Sequence, residues 1–557
     1  MLMIAKRTKA PADSTSTISI RLLRKNYTVD ESVRDNKKLT EQATTTGRLF
    51  HEQTGGSPPG WLGFVNAFVA GDPLKLQNQS CSAVLFLDVT TGKKSKRTFA
   101  FAFGAAHLSL QANAFERNFG LKVALNSVAR ANLKNVDVAT LDATSFQKRV
   151  QASRKSDLGG FGIDVERDLF RLAGGVPTDT DFANSLAGRD ALTLNTRIIP
   201  TTIADKCRTA LKLFEAQDYK KDYAFIDQVT PVREADIAEA LDDLVYDEIQ
   251  LLLADKPSDL HLTIPEIIDP EQSHEIGFFG VGFRSGSKRA YGELTIEDYI
   301  HELKNGRPAE LTGIQDIKAS HEIRVVIDGQ GQRPNRRKVY DCMVFETIHK
   351  GSTYVLFAGD WYCVDNDFYR SVEADFQKIL SNKPLIAKTK ALNERELIKE
   401  LDADPDLLML DQVKVSPASA TGANIEPCDF LSRDKAFIHL KDGHGSDPIS
   451  HLWNQGVVSA ESFVRDATFR NEMRTKALKR QKETKKKGFE SVLPDGRQKK
   501  PTTSEYRIVY GIMRHAYKCS KKLGLPFFSK VSLRSAAQRL ELMGFTVEVH
   551  LIEKQHA

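Results

Sequence analysis

A chain of 557 residues is too long for a single hydrophobic core, and three domains is the natural division. With 41% hydrophobic and 27% charged residues it has a globular balance, which excludes the fibrous and intrinsically disordered classes. A net charge of +6 is too small to name a partner. The six cysteines (Cys81, Cys207, Cys342, Cys363, Cys428, Cys519) show no CxxC pair and no zinc-type spacing, which points to a reducing compartment. No window of ~18 apolar residues reads as a membrane span, and MLMIAKRTKAPADSTST is not followed by a signal-type apolar run. A cytoplasmic protein without membrane contact is the expectation.

From the N-terminus, TISIRLLRKN (17–26) alternates as a strand, and SAVLFLDVT (82–90) and RTFAFAFG (97–104) flank TGKKSK as a β-hairpin. NFGLKVALNSV (118–128) suits a strand or a buried helix equally, because periodicity does not separate them in so short an apolar run. KSDLGGFGIDVERDLFRLA (155–173) reads as a loop entering a helix with acids in its first turn. Residues 1–205 thus form an α+β domain. Helical spacing dominates 200–255, strands are expected at 274–283 and 322–329, and TIEDYIHELKNG (295–306) is a helix closed by glycine. KVYDCMVFETIHKGSTYVLFAGDWYCVDN (338–366) carries two or three antiparallel strands packed by a helix at 367–380. The middle domain, 206–390, is therefore helical with an antiparallel sheet.

In the third domain, 391–557, a helix at 393–401 capped by Asn393 precedes three strands at 407–415, 424–432 and 436–441. A helix at 449–466, broken near Gly456, then leads to a strand at 506–513, a helix at 532–543 and a last strand at 545–553. Residues 465–500 hold thirteen Lys/Arg against five Asp/Glu, a local excess larger than the net charge of the whole chain. Such a block is an electrostatic footprint for a polyanion, with Arg474, Lys479, Arg480, Lys485, Lys486 and Lys487 as candidate phosphate contacts. Its bland alternative is a solvated helix face.

Chemistry concentrates in NIEPCDFLSRDKAFIHLK (424–441). Alternation places Phe437, His439 and Lys441 on one face of a strand, with Asp429 near the end of the strand before it. This layout resembles the metal-dependent nucleases of the PD-(D/E)xK type, whose acids hold a divalent ion while the lysine supports the attacking water. Asp429, Lys441 and Gln455, on the following helix, are the catalytic candidates. Asp429, Glu426 and His439 are the candidate ligands for Mn²⁺ or Mg²⁺. His439 stands where the pattern has a carboxylate, and imidazole nitrogen suits Mn²⁺ better than the harder Mg²⁺. Glu426 falls on the opposite face from Asp429 unless the chain is irregular, which Pro427 makes reasonable. The bland alternative is a hairpin whose polar residues merely reach water. The order helix, three strands, helix, strand is the core order of restriction-endonuclease-like folds, so the fold class expected is multidomain α+β and α/β, with mixed sheets in the N-terminal regions and an α-βββ-α-β C-terminal core.

Six blocks, FGLKVALN (119–126), DVERDLFRLAGG (164–175), YVLFAGDWYCVDNDF (354–368), IEPCDFLSRDKAFIHLK (425–441), SHLWNQGVVSAE (450–461) and LPFFSKVSLRSAAQRLELMGF (525–545), resemble an uncharacterised bacterial family labelled "sporadically distributed protein" over nearly the full length. The resemblance implies patchy bacterial inheritance, with carriage on mobile elements or in anti-phage loci, and supplies no reaction. The residues themselves point to a nucleic-acid-binding, metal-dependent phosphodiesterase, DNA ahead of RNA as its partner, with a partner protein or a second copy left open. The rivals are a nuclease-like fold that only binds nucleic acid and a regulatory interaction protein. Gly-x-x-x-x-Gly-Lys-Ser/Thr and Gly-x-Ser-x-Gly are both absent, so ATP use and serine-hydrolase chemistry are unsupported.

Overall fold

The computed structural model describes residues 15–555 apart from 35–38, 60–61, 91–95, 141–146, 153–160, 162, 164–167, 198–199, 263–273, 285–290, 292–293, 328–334, 417, 419–424, 444–445, 490, 495–499 and 517–522. The chain is a mixed α+β protein. Among the described residues no helix is long and apolar enough to cross a membrane.

The N-terminal region is one ten-stranded antiparallel sheet, with Thr40–Gln42 at one edge and Gln147–Gln151 at the other. Strand β1 (Thr15–Leu22) lies near its middle, between Lys96–Phe103 and Leu192–Arg197. The ambiguous segment at 118–128 is a helix, α1 (Phe119–Ser127), because it is buried on nearly every side and must satisfy its backbone internally. It lies so close to the sheet that a Cβ at Gly188 would stand 1.8 Å from the carbonyl oxygen of Gly120. The helix expected to end near 173 is instead strand β2 (Asp168–Gly175), which pairs on both sides, with Leu133–Thr140 and with Ser185–Gly188. A two-sided ladder outweighs the local helix-start signal there. Of the remainder of that expectation, 155–160, 162 and 164–167 lie outside the described residues.

The middle region holds a five-stranded sheet containing β3 (Met343–His349), β4 (Ser352–Phe357) and β5 (Asp360–Val364), together with a three-stranded sheet. Its long helix, Ala235–Leu253, sends Asp242 into the core. Trp361 Nε1 at 3.0 Å, Lys318 Nζ at 2.7 Å and the Tyr340 hydroxyl all donate to that carboxylate, so this buried charge is paired and hydrogen-bonded. Helix α2 (Asn366–Ile379) follows, capped by Asp365.

The C-terminal region begins with α3 (Glu394–Leu401), capped by Asn393 as its sequence predicts. Three antiparallel strands follow, β6 (Leu407–Met409), β7 (Phe430–Ser432) and β8 (Ala436–Asp442). Helices α4 (Ser446–Arg465) and α5 (Ala467–Glu483) cross to β9 (Arg507–Arg514), and α6 (Phe527–Leu542) crosses to β10 (Thr546–Lys554). Strands β8, β9 and β10 are mutually parallel, and the whole sheet has six strands. Helix α4 runs unbroken through Gly456. The glycine is there for closeness, since a Cβ would stand 2.2 Å from the hydroxyl of Tyr510, which donates to the Trp453 carbonyl at 3.1 Å.

The regions are joined by apolar packing. Val355, Phe357, Tyr362 and Val364 of the middle sheet share one cluster with Phe368 and Val372 of α2 and with Phe527, Phe528 and Val531 of α6. Farther along α2, Phe376 enters the main C-terminal core, and Glu373 takes the Lys530 ammonium at 2.5 Å. Helix α2 is thus packed into the C-terminal region although it lies before residue 391. A fragment of residues 366–557 should melt cooperatively and well above one of residues 391–557, in which the α2-facing side of α6 is stripped; thermal denaturation followed by circular dichroism compares them directly.

Candidate metal and nucleic-acid site

The site is built where β6 ends, beside the entry to β7. Leu410 donates its amide to the Asp429 carbonyl at 2.7 Å, and the chain then turns at Asp411–Gln412, with Gln412 at φ +61°. It returns through a bridge between Val415 and Ile425. Between Ile425 and Phe430 regular pairing lapses around Pro427, whose carbonyl accepts from the Ser459 hydroxyl of α4 at 2.7 Å. That lapse breaks the alternation that would send Glu426 and Asp429 to opposite faces. Ligand oxygens of Asp411, Glu426 and Asp429 consequently lie within 4.8 Å of one another.

Each carboxyl has its own support. Asp429 is buried; its carboxylate accepts the Leu440 amide of β8 at 2.6 Å, and its own amide donates to the Ile438 carbonyl at 2.9 Å. Glu426 accepts the Gln412 amide, which ties it to the Asp411 turn. Glu394, the first residue of α3, pairs with Lys441 Nζ at 2.9 Å. Burial lifts the Asp429 carboxyl to about 8 against the pull of the Leu440 amide, with Glu426, Glu394 and Asp411 adding like-charge repulsion. Glu426 and Asp411 are raised for the same reasons, burial first.

Among the residues singled out from sequence, Glu426 and Asp429 are brought together, and Lys441 stands beside Glu394. Gln455 is half-buried on α4. His439 lies outside the carboxylate group. It is only 3% exposed, its ring centre is 5.9 Å from that of Tyr510, and its Nε2 has no hydrogen-bond partner. Burial holds its imidazole down to about 4, and so neutral. Asp411 is the member that the sequence reading missed. Its only signal is an acid at a strand end, which becomes informative once β6 and β7 are known to be neighbours.

The basic block is divided by the fold. Lys486 is a structural cation: its ammonium donates to the carbonyls of Asp402, Asp404 and Leu407 at 2.8, 3.1 and 2.6 Å and to the Asp402 carboxylate at 3.0 Å. Arg474 donates to the Leu493 carbonyl at 2.9 Å and Arg480 to that of Met409 at 3.2 Å, next to the Asp411 turn. Lys479, Lys485 and Lys487 are exposed, as are Lys476 and Lys482. The first amides of α6 are likewise occupied from within, because Glu346 accepts those of Phe527 and Phe528 at 2.5 and 3.4 Å.

The family model described as "Family of unknown function (DUF6119)" matches residues 18–553. No curated protein and no solved structure matches the chain.

Two outcomes follow from this geometry. An acid whose folded pKa is raised lends stability that is complete below its unfolded value of ~4 and is lost as pH climbs toward about 8. Asp429→Asn should therefore melt above the wild type at pH 8 in the presence of a chelator, with the gap closing by pH 5. Lys486→Gln should lower Tm by several degrees, whereas Lys479→Gln and Lys485→Gln should leave it unchanged, since charged hydrogen bonds contribute roughly 1.5–3 kcal/mol each and exposed lysines contribute little. Calorimetric scans of the four variants test both.

Proposed function

We propose, for a chain that belongs to the DUF6119 family of unknown function, that its C-terminal region is a restriction-endonuclease-like, metal-dependent phosphodiesterase acting on nucleic acid. The observation that carries this reading is the meeting of Asp411, Glu426 and Asp429 within 4.8 Å, with Glu394, whose charge acts on all three, pairing with Lys441 of the adjoining strand. The sheet supports it: three antiparallel strands, a helical crossover to a parallel fourth and an acid-bearing helix in front match the α-βββ-α-β order.

The donor set fits a hard divalent cation, because it is all carboxylate oxygen and because burial, with like-charge repulsion added, has raised the pKa of each member. With His439 outside the group, the ground for preferring Mn²⁺ over Mg²⁺ falls away. The bound cation would supply Lewis-acid activation of the phosphodiester. Lys441 holds a cationic donor at the mouth of the site, kept in place by Glu394, and offsets negative charge as the phosphorus becomes five-coordinate. The exposed lysines of α5 and the turn after it face solvent as a sequence-independent contact for the phosphate backbone.

The experiment is cleavage of plasmid and single-stranded DNA and of RNA with Mg²⁺, Mn²⁺ or chelator. Asp411→Ala, Asp429→Ala and Lys441→Ala should each lower the rate by about 10² or more, as losses of positioned charge-stabilising groups do. Lys479→Gln/Lys485→Gln should weaken binding in a salt-dependent manner and leave the rate at saturation unchanged. Full cleavage by the three alanine variants would discard the reading; salt-dependent binding without cleavage in the wild type would leave a nuclease-like binding protein.

A further inference from the structure

Far from the carboxylate group, a cavity of about 360 Å³ opens between the ten-stranded sheet and the edge of the middle sheet. Its ionic lining is four arginines, Arg21 of β1, Arg117 before α1, Arg171 of β2 and Arg189, against two carboxylates, Asp190 and Asp360. Two of the arginines are already matched. Arg117 bridges Asp190, at 2.6 Å, and Asp360 of β5, so it joins the two sheets. Arg189 pairs with Asp137, which also takes Arg149 at 2.8 Å.

The other two are not. Neither Arg21 nor Arg171 has a carboxylate in ion-pair reach among the described residues, and the Nε of Arg21 is buried without a hydrogen-bond partner. Arg171 makes one long contact, 3.4 Å to the Tyr362 hydroxyl, and lies 5.9 Å from the centre of the Phe357 ring. A buried guanidinium donor without an acceptor, as at Arg21, is costly, and a second guanidinium on the same cavity with only one long contact adds to the pull on an anionic ligand. The planar donor fork of arginine matches the oxygens of phosphate. The space is at the small end of the ~300–1,000 Å³ typical of ligand sites, so it admits more than a bare oxyanion.

We propose that this cavity binds the phosphate group of a small phosphorylated molecule, with Arg21 and Arg171 as its ligands and Arg117 as the positioning residue that holds the two sheets around it. Asp190 accepts the Asn118 amide at 2.8 Å besides pairing with Arg117, so the wall beside the arginines is tied at two points. Tyr362 belongs to the apolar cluster that reaches α6, so the cavity floor is continuous with the packing between regions.

The test is titration calorimetry of the full-length protein with inorganic phosphate, pyrophosphate and adenosine 5′-monophosphate, without divalent metal. Saturable binding of at least one probe at one site per chain is expected, weakened about tenfold or more by Arg171→Gln and by Arg21→Gln. Arg21→Lys, which retains the charge, covers the case in which the glutamine variant does not fold, and should bind more weakly than wild type but above Arg171→Gln. Asp429→Asn and Lys479→Gln/Lys485→Gln should bind as wild type, which separates this site from the proposed nuclease. Absence of saturation with all three probes, binding indifferent to the arginine substitutions, or binding lost with the α5 lysines instead would each overturn the proposal. A mononucleotide that binds where inorganic phosphate and pyrophosphate do not would still have to lose affinity in Arg171→Gln; if it does not, the site is not a phosphate site.

Discussion

The carboxylate of Glu346, accepting the first amides of α6, is the contact on which the arrangement of the molecule turns. A helix begins with unpaired N–H groups and a partial positive charge, and here a strand of a different sheet supplies the anion that satisfies them. Glu346 lines a cavity of about 250 Å³ at this junction, and loss of water lifts its carboxyl to about 7. Around it, Phe527 and Phe528 enter the cluster shared with β4, β5 and α2. One end of the last crossover helix is therefore anchored to the middle sheet while the rest of it covers the parallel strands.

That anchoring has consequences for the carboxylate site. Helix α6 packs beside α4, and α4 holds Pro427 through Ser459. Trp453 of α4 donates to the Ser529 carbonyl of α6 at 3.2 Å and accepts from Tyr510 of β9. The irregular segment between Ile425 and Phe430 is thus gripped from outside the sheet, which keeps three mutually repelling acids together. Such crowding is unfavourable for an isolated hairpin, and the fold imposes it through packing remote from the acids.

The carboxylate group and the arginine-lined cavity are of opposite sign and built differently. The carboxylate group draws its members from residues 411–429, near in sequence, and raises their pKa values by burial and repulsion. The arginine cavity draws on positions 21, 117, 171 and 189, and is held by ion pairs across two sheets. Local spacing hints at the first, while nothing in the linear chain announces the second.

The strand and helix types of the C-terminal region were legible in its residues. Apolar alternation in AFIHLK and FTVEVHLIE, the Asn393 cap and the glycine-free face of SLRSAAQRLELM are short-range signals that the fold leaves intact. Asp429, Glu426 and Lys441 could likewise be picked out, because acids and a lysine flanking a short hairpin are close in sequence. Tertiary structure alone decided that Asp411 joins them, that His439 is outside their group and that Lys486 is committed to three backbone carbonyls. It also decided that DLFRLAGG is a strand and FGLKVALN a helix. In each case the deciding term is a partner many residues away, a ladder on both edges of a strand or burial on all sides of a helix. Local periodicity records which residues are apolar, and it carries no information about which surface they meet.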